Sequence, residues 1–163
     1  MPAKILVVDD QALVLGVLKE ILARGPYNVY TAQSAEQALE IMAHEVVDVV
    51  ISDERMPGMR GSEFLAIIRN QYPETVRIII TGHASLESTI RAINEGEIYR
   101  LLTKPVTSED LHAAVKEALE HKARAGRSNS DKALLAHLEK QAPGITHVKR
   151  DEDGVVIISE NEP

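Results

Sequence analysis

The feature that most constrains the fold is a fivefold alternation of short apolar runs with segments of helical periodicity. Each run is too short for a typical helix and lacks the polar alternation of a half-exposed strand, which favours strands buried on both faces. The runs span residues 5–8, 29–32, 46–51, 76–80 and 98–102. Because crossovers between parallel strands are right-handed and usually helical, the pattern predicts an α/β doubly wound parallel sheet with helices on both faces.

The intervening segments carry helix signals as well as helical spacing. Apolar residues recur at this spacing over 13–22. Ser34 is a predicted N-cap, and Gln37 three residues later completes a capping-box pattern. Another helix is predicted over 86–95, and Thr107 is the predicted cap of a helix packed through its apolar residues.

Polar residues follow four of the five predicted strands. They are Asp9, Asp10, Asp53, Thr81 and Lys104. In an open α/β sheet the ligand lies beyond the carboxyl ends of the strands, so we expect these side chains to converge there. Converging carboxylates repel one another, and Mg²⁺ relieves that repulsion. An ionised Asp can also attack phosphorus, while a lysine and a hydroxyl stabilise the arriving phosphoryl group.

The same residues, in this order, resemble the receiver domain of bacterial two-component response regulators. The resemblance rests on Asp9-Asp10, Asp53-Glu54-Arg55-Met56-Pro57-Gly58, Thr81-Gly82 and Lys104-Pro105. It covers residues 3–122 and implies a flavodoxin-like sheet of order 2-1-3-4-5 flanked by five helices. It also implies a cis peptide bond between Lys104 and Pro105.

The resemblance assigns roles to individual positions. Asp53 is the implied phosphoacceptor and a metal ligand. Asp10 is the implied direct Mg²⁺ ligand, and Asp9 would hold a metal-bound water. The backbone carbonyl of Arg55 would supply a further ligand, and Lys104 would pair with the phosphoryl group.

A second set of implied roles concerns switching and phosphate lifetime. Thr81 is the implied switch hydroxyl. Receivers often carry an aromatic residue where this chain has Leu101, and Tyr99 lies two residues earlier, on the face that period-two alternation predicts for Leu101. Arg55 and His83 occupy positions that flank the phosphate and tune its hydrolysis in the family.

The implied function is a phosphorylation-dependent signalling switch and not an enzyme proper. A sensor histidine kinase or phosphotransfer protein would supply the phosphoryl group, and an unknown downstream protein or a second copy of the chain would bind the activated face. A phosphorelay intermediate or phosphate sink is an alternative that keeps the chemistry. A haloacid-dehalogenase-type phosphohydrolase is less favoured, because Arg55 stands where those enzymes have a second acid. The last alternative is an interaction module that is not phosphorylated.

The segment 92–100 resembles that of one subgroup of receivers, which are often fused to cyclic-di-GMP phosphodiesterase (HD-GYP) or transcriptional output domains.

The composition excludes some classes of function and disfavours others. The formal net charge of −7 disfavours direct nucleic-acid binding. The chain lacks cysteine, which excludes disulfides and thiolate metal sites. We expect a cytoplasmic protein, since no apolar run approaches the ~18 residues of a membrane span.

The C-terminal part has its own pattern. Residues 123–131 are rich in Gly, Ser, Asn and Arg, which predicts a linker. Leu134, Leu135 and Leu138 predict a short amphipathic helix, and 145–150 with 155–159 predict a hairpin. The extension, 132–163, would be a packed accessory cap or a surface for a partner or a second copy.

Overall fold

Five parallel strands form one sheet in the order 2-1-3-4-5, which confirms the predicted topology. The strands are β1 (Ala3–Val8), β2 (Tyr27–Ala32), β3 (Val49–Asp53), β4 (Val76–Thr81) and β5 (Arg100–Thr103). The computed structural model describes residues 2–82, 98–141, 148–150 and 156–158, and the side chains of 2–82 and 98–125. The helix predicted over 86–95 and His83 lie outside these residues.

Burial on both faces, predicted for all five strands, holds for β1, β3 and β4, whereas most residues of the edge strands β2 and β5 are half-buried. The described helices are α1 (Ala12–Ala23), α2 (Ala35–His44), α3 (Gly61–Gln71) and α4 (Ser108–Gln141). Residues of α1 and the start of α4 pack with one apolar cluster, and residues of α2 and α3 pack with the other. Alternate residues of β1, β3 and β4 enter opposite clusters, so both faces of these strands are covered and the polar strand ends are left as the reactive edge.

Side-chain caps fix the starts of two helices. Ser34 Oγ accepts from the backbone N of Gln37 at 3.2 Å, and Thr107 Oγ1 accepts from the backbone N of Asp110 at 3.0 Å. Gln37 Oε1 accepts from the backbone N of Gln33, one residue before the cap, at 2.8 Å. The predicted caps are therefore confirmed, with the capping box shifted by one residue.

The third strand begins later than the sequence predicts. β3 starts at Val49, whereas the apolar run starts at Val46, whose side chain is 78% exposed. Asp48, just before β3, is bonded to Lys4 twice: its carboxylate accepts from the backbone N of Lys4 at 2.8 Å, and its backbone N donates to the carbonyl of Lys4 at 2.9 Å. The apolar character of residues 46–51 alone therefore did not show where β3 begins.

Residues 123–131 were predicted to be a non-helical linker between two helices, and this prediction of their secondary structure is wrong. One helix, α4, runs from Ser108 to Gln141 through that segment. Gly, Ser and Asn cost a helix only about 1 kcal/mol or less each, and the segment holds no proline to break it. The chain divides into two compact units, Met1–Leu119 and Glu120–Pro163.

The second unit contains a short antiparallel strand pair. β6 (Val148–Arg150) pairs with β7 (Val156–Ile158), which confirms the strands of the predicted hairpin. The predicted turn between them lies outside the described residues. Within the described part of the chain, no helix has the length and apolar character needed to cross a bilayer.

Candidate functional site

The carboxyl ends of four strands bring the predicted polar residues together. Asp9 follows β1, Asp53 ends β3, Thr81 ends β4, and Lys104 follows β5. Asp9 is 1% exposed, Asp53 6% and Thr81 5%, while Asp10 is exposed. Parallel pairing fixes this convergence, because all strands point the same way and their ends share one edge.

Lys104 links two of the carboxylates. Its Nζ lies 3.2 Å from Asp53 Oδ1 and 3.4 Å from Asp9 Oδ2. Its backbone N donates to the carbonyl of Thr81 at 2.9 Å, which ties the loop after β5 to the end of β4. The cis bond expected between Lys104 and Pro105 is present. The other oxygen of Asp9 accepts from the backbone N of Gln11 at 2.9 Å, which fixes that carboxylate.

The electrostatics of the cluster favour an incoming cation. Burial and the neighbouring Asp9 raise the pKa of Asp53, and the opposing effect of Lys104 does not cancel them. Burial alone would lower the pKa of Lys104, but attraction and hydrogen bonding to Asp53 and Asp9 outweigh it and raise that pKa. Lys104 therefore stays protonated, while ionised Asp53 remains under repulsion.

The donor set fits Mg²⁺. Asp9, Asp10 and Asp53 each offer one carboxylate oxygen, and these oxygens lie within 4.8 Å of one another. The single positive charge of Lys104 does not neutralise the negative charges of three ionised carboxylates. Mg²⁺ prefers oxygen ligands and commonly uses one or two carboxylates with water and a phosphate oxygen. The residues present therefore suit a hard divalent cation.

Asp53→Asn is expected to raise the free energy of unfolding at neutral pH by about 1 kcal/mol. The raised pKa means that the folded protein holds this proton more tightly, so the contribution of Asp53 to stability falls as pH rises from 3.8 through its folded pKa. The neutral amide removes that loss. Urea unfolding of both proteins in EDTA should show the gain at neutral pH and show it shrink as pH is lowered towards 3.8. An equal difference at every pH would contradict this account.

The sequence analysis did not identify three residues that fix the connection between Asp53 and α3. Glu54 Oε1 accepts from Ser62 Oγ at 2.8 Å and from Ser62 N at 3.3 Å. Gly61, at the start of α3, packs against the backbone of Asp53 so closely that a Cβ there would lie 2.9 Å from the Asp53 carbonyl carbon. The signals available in the sequence were the glycine and serine that begin α3, but they did not identify Glu54 as their partner.

The expectation that Tyr99 and Leu101 share a face of the sheet is wrong. Tyr99 packs with the cluster that includes Leu102, and Leu101 packs with the opposite cluster. β5 begins only at Arg100, so strand alternation does not extend back to Tyr99. The Tyr99 hydroxyl donates to the carbonyl of Glu117 in α4 at 3.3 Å.

The β3–α3 loop divides between exposed and buried side chains. Arg55 is exposed, whereas Met56 is 8% exposed and belongs to the apolar cluster on the α2 and α3 side. The structure therefore orients the Arg55 side chain towards solvent and anchors the next residue in the core. A role of Arg55 in tuning phosphate lifetime stays a prediction, as does that of His83.

Comparison with known proteins identifies what this arrangement is similar to. The sequence model described as the response regulator receiver domain matches residues 5–116. Among solved structures, the signal receiver domain of an HD domain-containing protein from Pseudomonas fluorescens Pf-5 is 44% identical, with a TM-score of 0.73. That match covers 76% of this chain and 98% of the other.

Two curated relatives extend the comparison to longer proteins. The hydrogenase transcriptional regulatory protein HoxA of Cupriavidus necator is 37% identical over 72% of this chain. The transcriptional regulatory protein GlrR of Escherichia coli K12 is 39% identical over 76% of it. The matches span only 24% and 28% of those proteins, so the similarity concerns about a quarter of each relative.

Proposed function

The chain belongs to the response regulator receiver domain family, and we propose that it is a signalling switch in which Asp53 accepts a phosphoryl group with Mg²⁺ bound. The observation that carries this assignment is the contact of Lys104 Nζ with Asp53 Oδ1 at 3.2 Å beside the three-carboxylate cluster. The proposed nucleophile Asp53, the amine of Lys104 and the proposed cation ligands thus lie at the same carboxyl edge of the sheet. The proposal includes a cytoplasmic location.

The proposed chemistry is displacement at phosphorus. An Asp53 carboxylate oxygen attacks the phosphorus of a phospho-histidine, a P–O bond forms, and the P–N bond breaks with its electron pair passing to the imidazole nitrogen. Burial and Asp9 raise the pKa of Asp53, so its ionised carboxylate is more basic and a stronger nucleophile than an unperturbed one. Bound Mg²⁺ would neutralise charge on the phosphoryl oxygens, with Asp10, Asp53 and the carbonyl of Arg55 as proposed ligands and Asp9 holding a water.

Lys104 and Thr81 are the proposed phosphoryl-binding groups. The ammonium group of Lys104 already contacts both Asp53 and Asp9. It can therefore form an ion pair with a phosphoryl oxygen on Asp53 with little movement. Thr81 ends the neighbouring strand, and its hydroxyl is proposed to turn towards the same oxygens. Movement of Thr81 would then alter the surface next to Leu101, whose side chain is only partly buried.

The test is phosphorylation by a small donor. Wild-type protein is incubated with acetyl phosphate and Mg²⁺, and its intact mass is recorded with and without EDTA. One phosphate adduct that needs Mg²⁺ and is released by hydroxylamine, as an acyl phosphate is, would support the proposal. No adduct at any Mg²⁺ concentration, or one indifferent to EDTA, would contradict it.

The proposed donor is a histidine kinase or phosphotransfer protein, and it must dock on the rim of the site. Its phosphorus has to reach Asp53, which is buried to 6% exposure, so donor atoms must cover the adjacent surface. Leu13 and Val17 lie one turn apart on α1, which follows Asp9 and Asp10, and are 87% and 56% exposed. Apolar side chains this exposed beside a reactive edge favour a partner surface.

Leu13→Asp and Val17→Asp are each expected to lower the rate of transfer from a phospho-histidine protein about tenfold. Transfer from acetyl phosphate should be unchanged, because the small donor needs no docking surface. Val46→Asp is the matched control, since Val46 is 78% exposed and precedes β3, at the sheet edge opposite the site. Equal loss with both donors would assign these residues to stability instead of docking.

The proposed output is a protein–protein contact made by the phosphorylated form. The relatives HoxA and GlrR are named transcriptional regulators, and this chain matches about a quarter of each. The part held in common is the receiver, so control of transcription by this chain would run through another protein segment. A downstream protein or a second copy of the chain is the proposed recipient.

A further inference from the structure

The side chain of Glu54 forms a clamp across the loop that follows Asp53. Its Oε1 accepts from both the hydroxyl and the backbone N of Ser62, at 2.8 and 3.3 Å. Its backbone N donates to the carbonyl of Ile80 at 2.9 Å, and its carbonyl accepts from Gly61 at 3.0 Å. Backbone and side chain of this one residue thus join β4, the end of β3 and the start of α3.

The clamp replaces a missing helix cap. The N-cap residue of α3 is Arg60, and its side chain makes no capping hydrogen bond. The first backbone N–H groups of a helix lack partners within the helix. Glu54 reaches across the loop to satisfy one of them at Ser62, and its negative charge lies at the favourable end of the helix dipole.

The clamp brackets Arg55, the proposed carbonyl ligand. On one side Glu54 is fixed by four hydrogen bonds, and on the other Met56 is held in the core at 8% exposure. The Arg55 side chain itself is exposed, so the direction of its carbonyl depends on these two neighbours. We infer that Glu54 and Ser62 are positioning residues that hold the Arg55 carbonyl in place to bind Mg²⁺. This inference rests on the proposed function.

The inference predicts a defect in metal affinity that does not follow net charge. Ser62→Ala changes no charge and is expected to weaken Mg²⁺ binding about threefold, because one hydrogen bond of the clamp is lost. Glu54→Ala loses both bonds from Ser62 and is expected to weaken it about tenfold. Ser62→Thr keeps the hydroxyl and Glu54→Gln keeps an acceptor oxygen, so each should bind Mg²⁺ more tightly than the corresponding Ala variant.

Mg²⁺ dissociation constants are measured by NMR titration of backbone amide shifts in the full chain. Glu63→Gln is the control, an exposed acid next to Ser62 in the same helical turn. Urea unfolding without Mg²⁺ confirms that each variant is folded at the titration conditions. As a second readout, raising the Mg²⁺ concentration should restore the wild-type rate of phosphorylation by acetyl phosphate in Ser62→Ala and Glu54→Ala, because only their Mg²⁺ affinity is expected to be lowered.

Wild-type affinity in folded Ser62→Ala and Glu54→Ala would overturn the inference and leave the proposed function intact. The inference also fails if Glu54→Gln and Glu63→Gln match Glu54→Ala, because charge alone would then explain the loss. Absence of Mg²⁺ binding by the wild-type protein would instead overturn the proposed function and this inference together.

Discussion

Asp53→Asn is expected to lower covalent phosphate incorporation about a hundredfold or more. An amide offers no anionic oxygen to phosphorus, while its size and shape preserve the packing of the buried position, which is 6% exposed. The measurement is intact mass after incubation with acetyl phosphate and Mg²⁺. The expected stability gain of this variant at neutral pH separates loss of chemistry from loss of fold.

Glu36→Gln is the matched control for Asp53→Asn. Glu36 is an exposed carboxylate in the first turn of α2, outside the cluster, and its loss should leave the phosphate yield unchanged. A full adduct on Asp53→Asn would assign the nucleophile to another carboxylate. Asp9 and Asp10 would then be the next candidates, since their oxygens lie within 4.8 Å of the Asp53 oxygen.

Gly61→Ala is expected to lower the free energy of unfolding by about 3 kcal/mol or more. The added Cβ would collide with the carbonyl oxygen of Asp53 and lie 2.9 Å from its carbonyl carbon and 3.0 Å from the Cα of Glu54. These are backbone atoms at a strand end, so they cannot rotate away. Either α3 shifts or the end of β3 is distorted. Urea unfolding monitored by circular dichroism measures the loss.

Gly16→Ala is the control that separates this collision from the general effect of replacing glycine. Gly16 lies inside α1, and a Cβ there meets nothing within 4 Å. Alanine should therefore stabilise the protein by about 0.5–1 kcal/mol through its helix propensity. Equal stability of Gly61→Ala and wild type would show that α3 can move away from Asp53 without cost.

The members of the carboxylate cluster were predictable from the residues themselves, whereas the order of the strands was predictable only through the resemblance to receiver domains. Short, mostly apolar runs mark the strands, and the topology of parallel α/β units places their carboxyl ends together. Asp9, Asp53, Thr81 and Lys104 each follow a run closely, so local sequence was enough to place them at one edge. Only the agreement of several separated motifs distinguished this edge from ordinary solvated strand ends.

Element boundaries and cross-loop partners were not predictable in the same way. β3 starts at Val49, directly after Asp48, which forms hydrogen bonds with Lys4, 44 residues away in the chain. The continuation of α4 through 123–131 shows that weak helix formers do not end a helix by themselves. The face occupied by Tyr99 depends on where β5 begins, which apolar periodicity did not fix.

Local sequence was sufficient to specify the fold class and the residues of the reactive edge, because periodicity and strand ends are local properties that topology converts into position. The strand order followed from the resemblance to receiver domains. The folded chain was needed to show that Lys104 reaches both Asp9 and Asp53. It was needed equally to show that Glu54 closes the loop on Ser62, and that α3 leaves no room for a side chain at Gly61. These are distances between separate segments, and tertiary packing sets them.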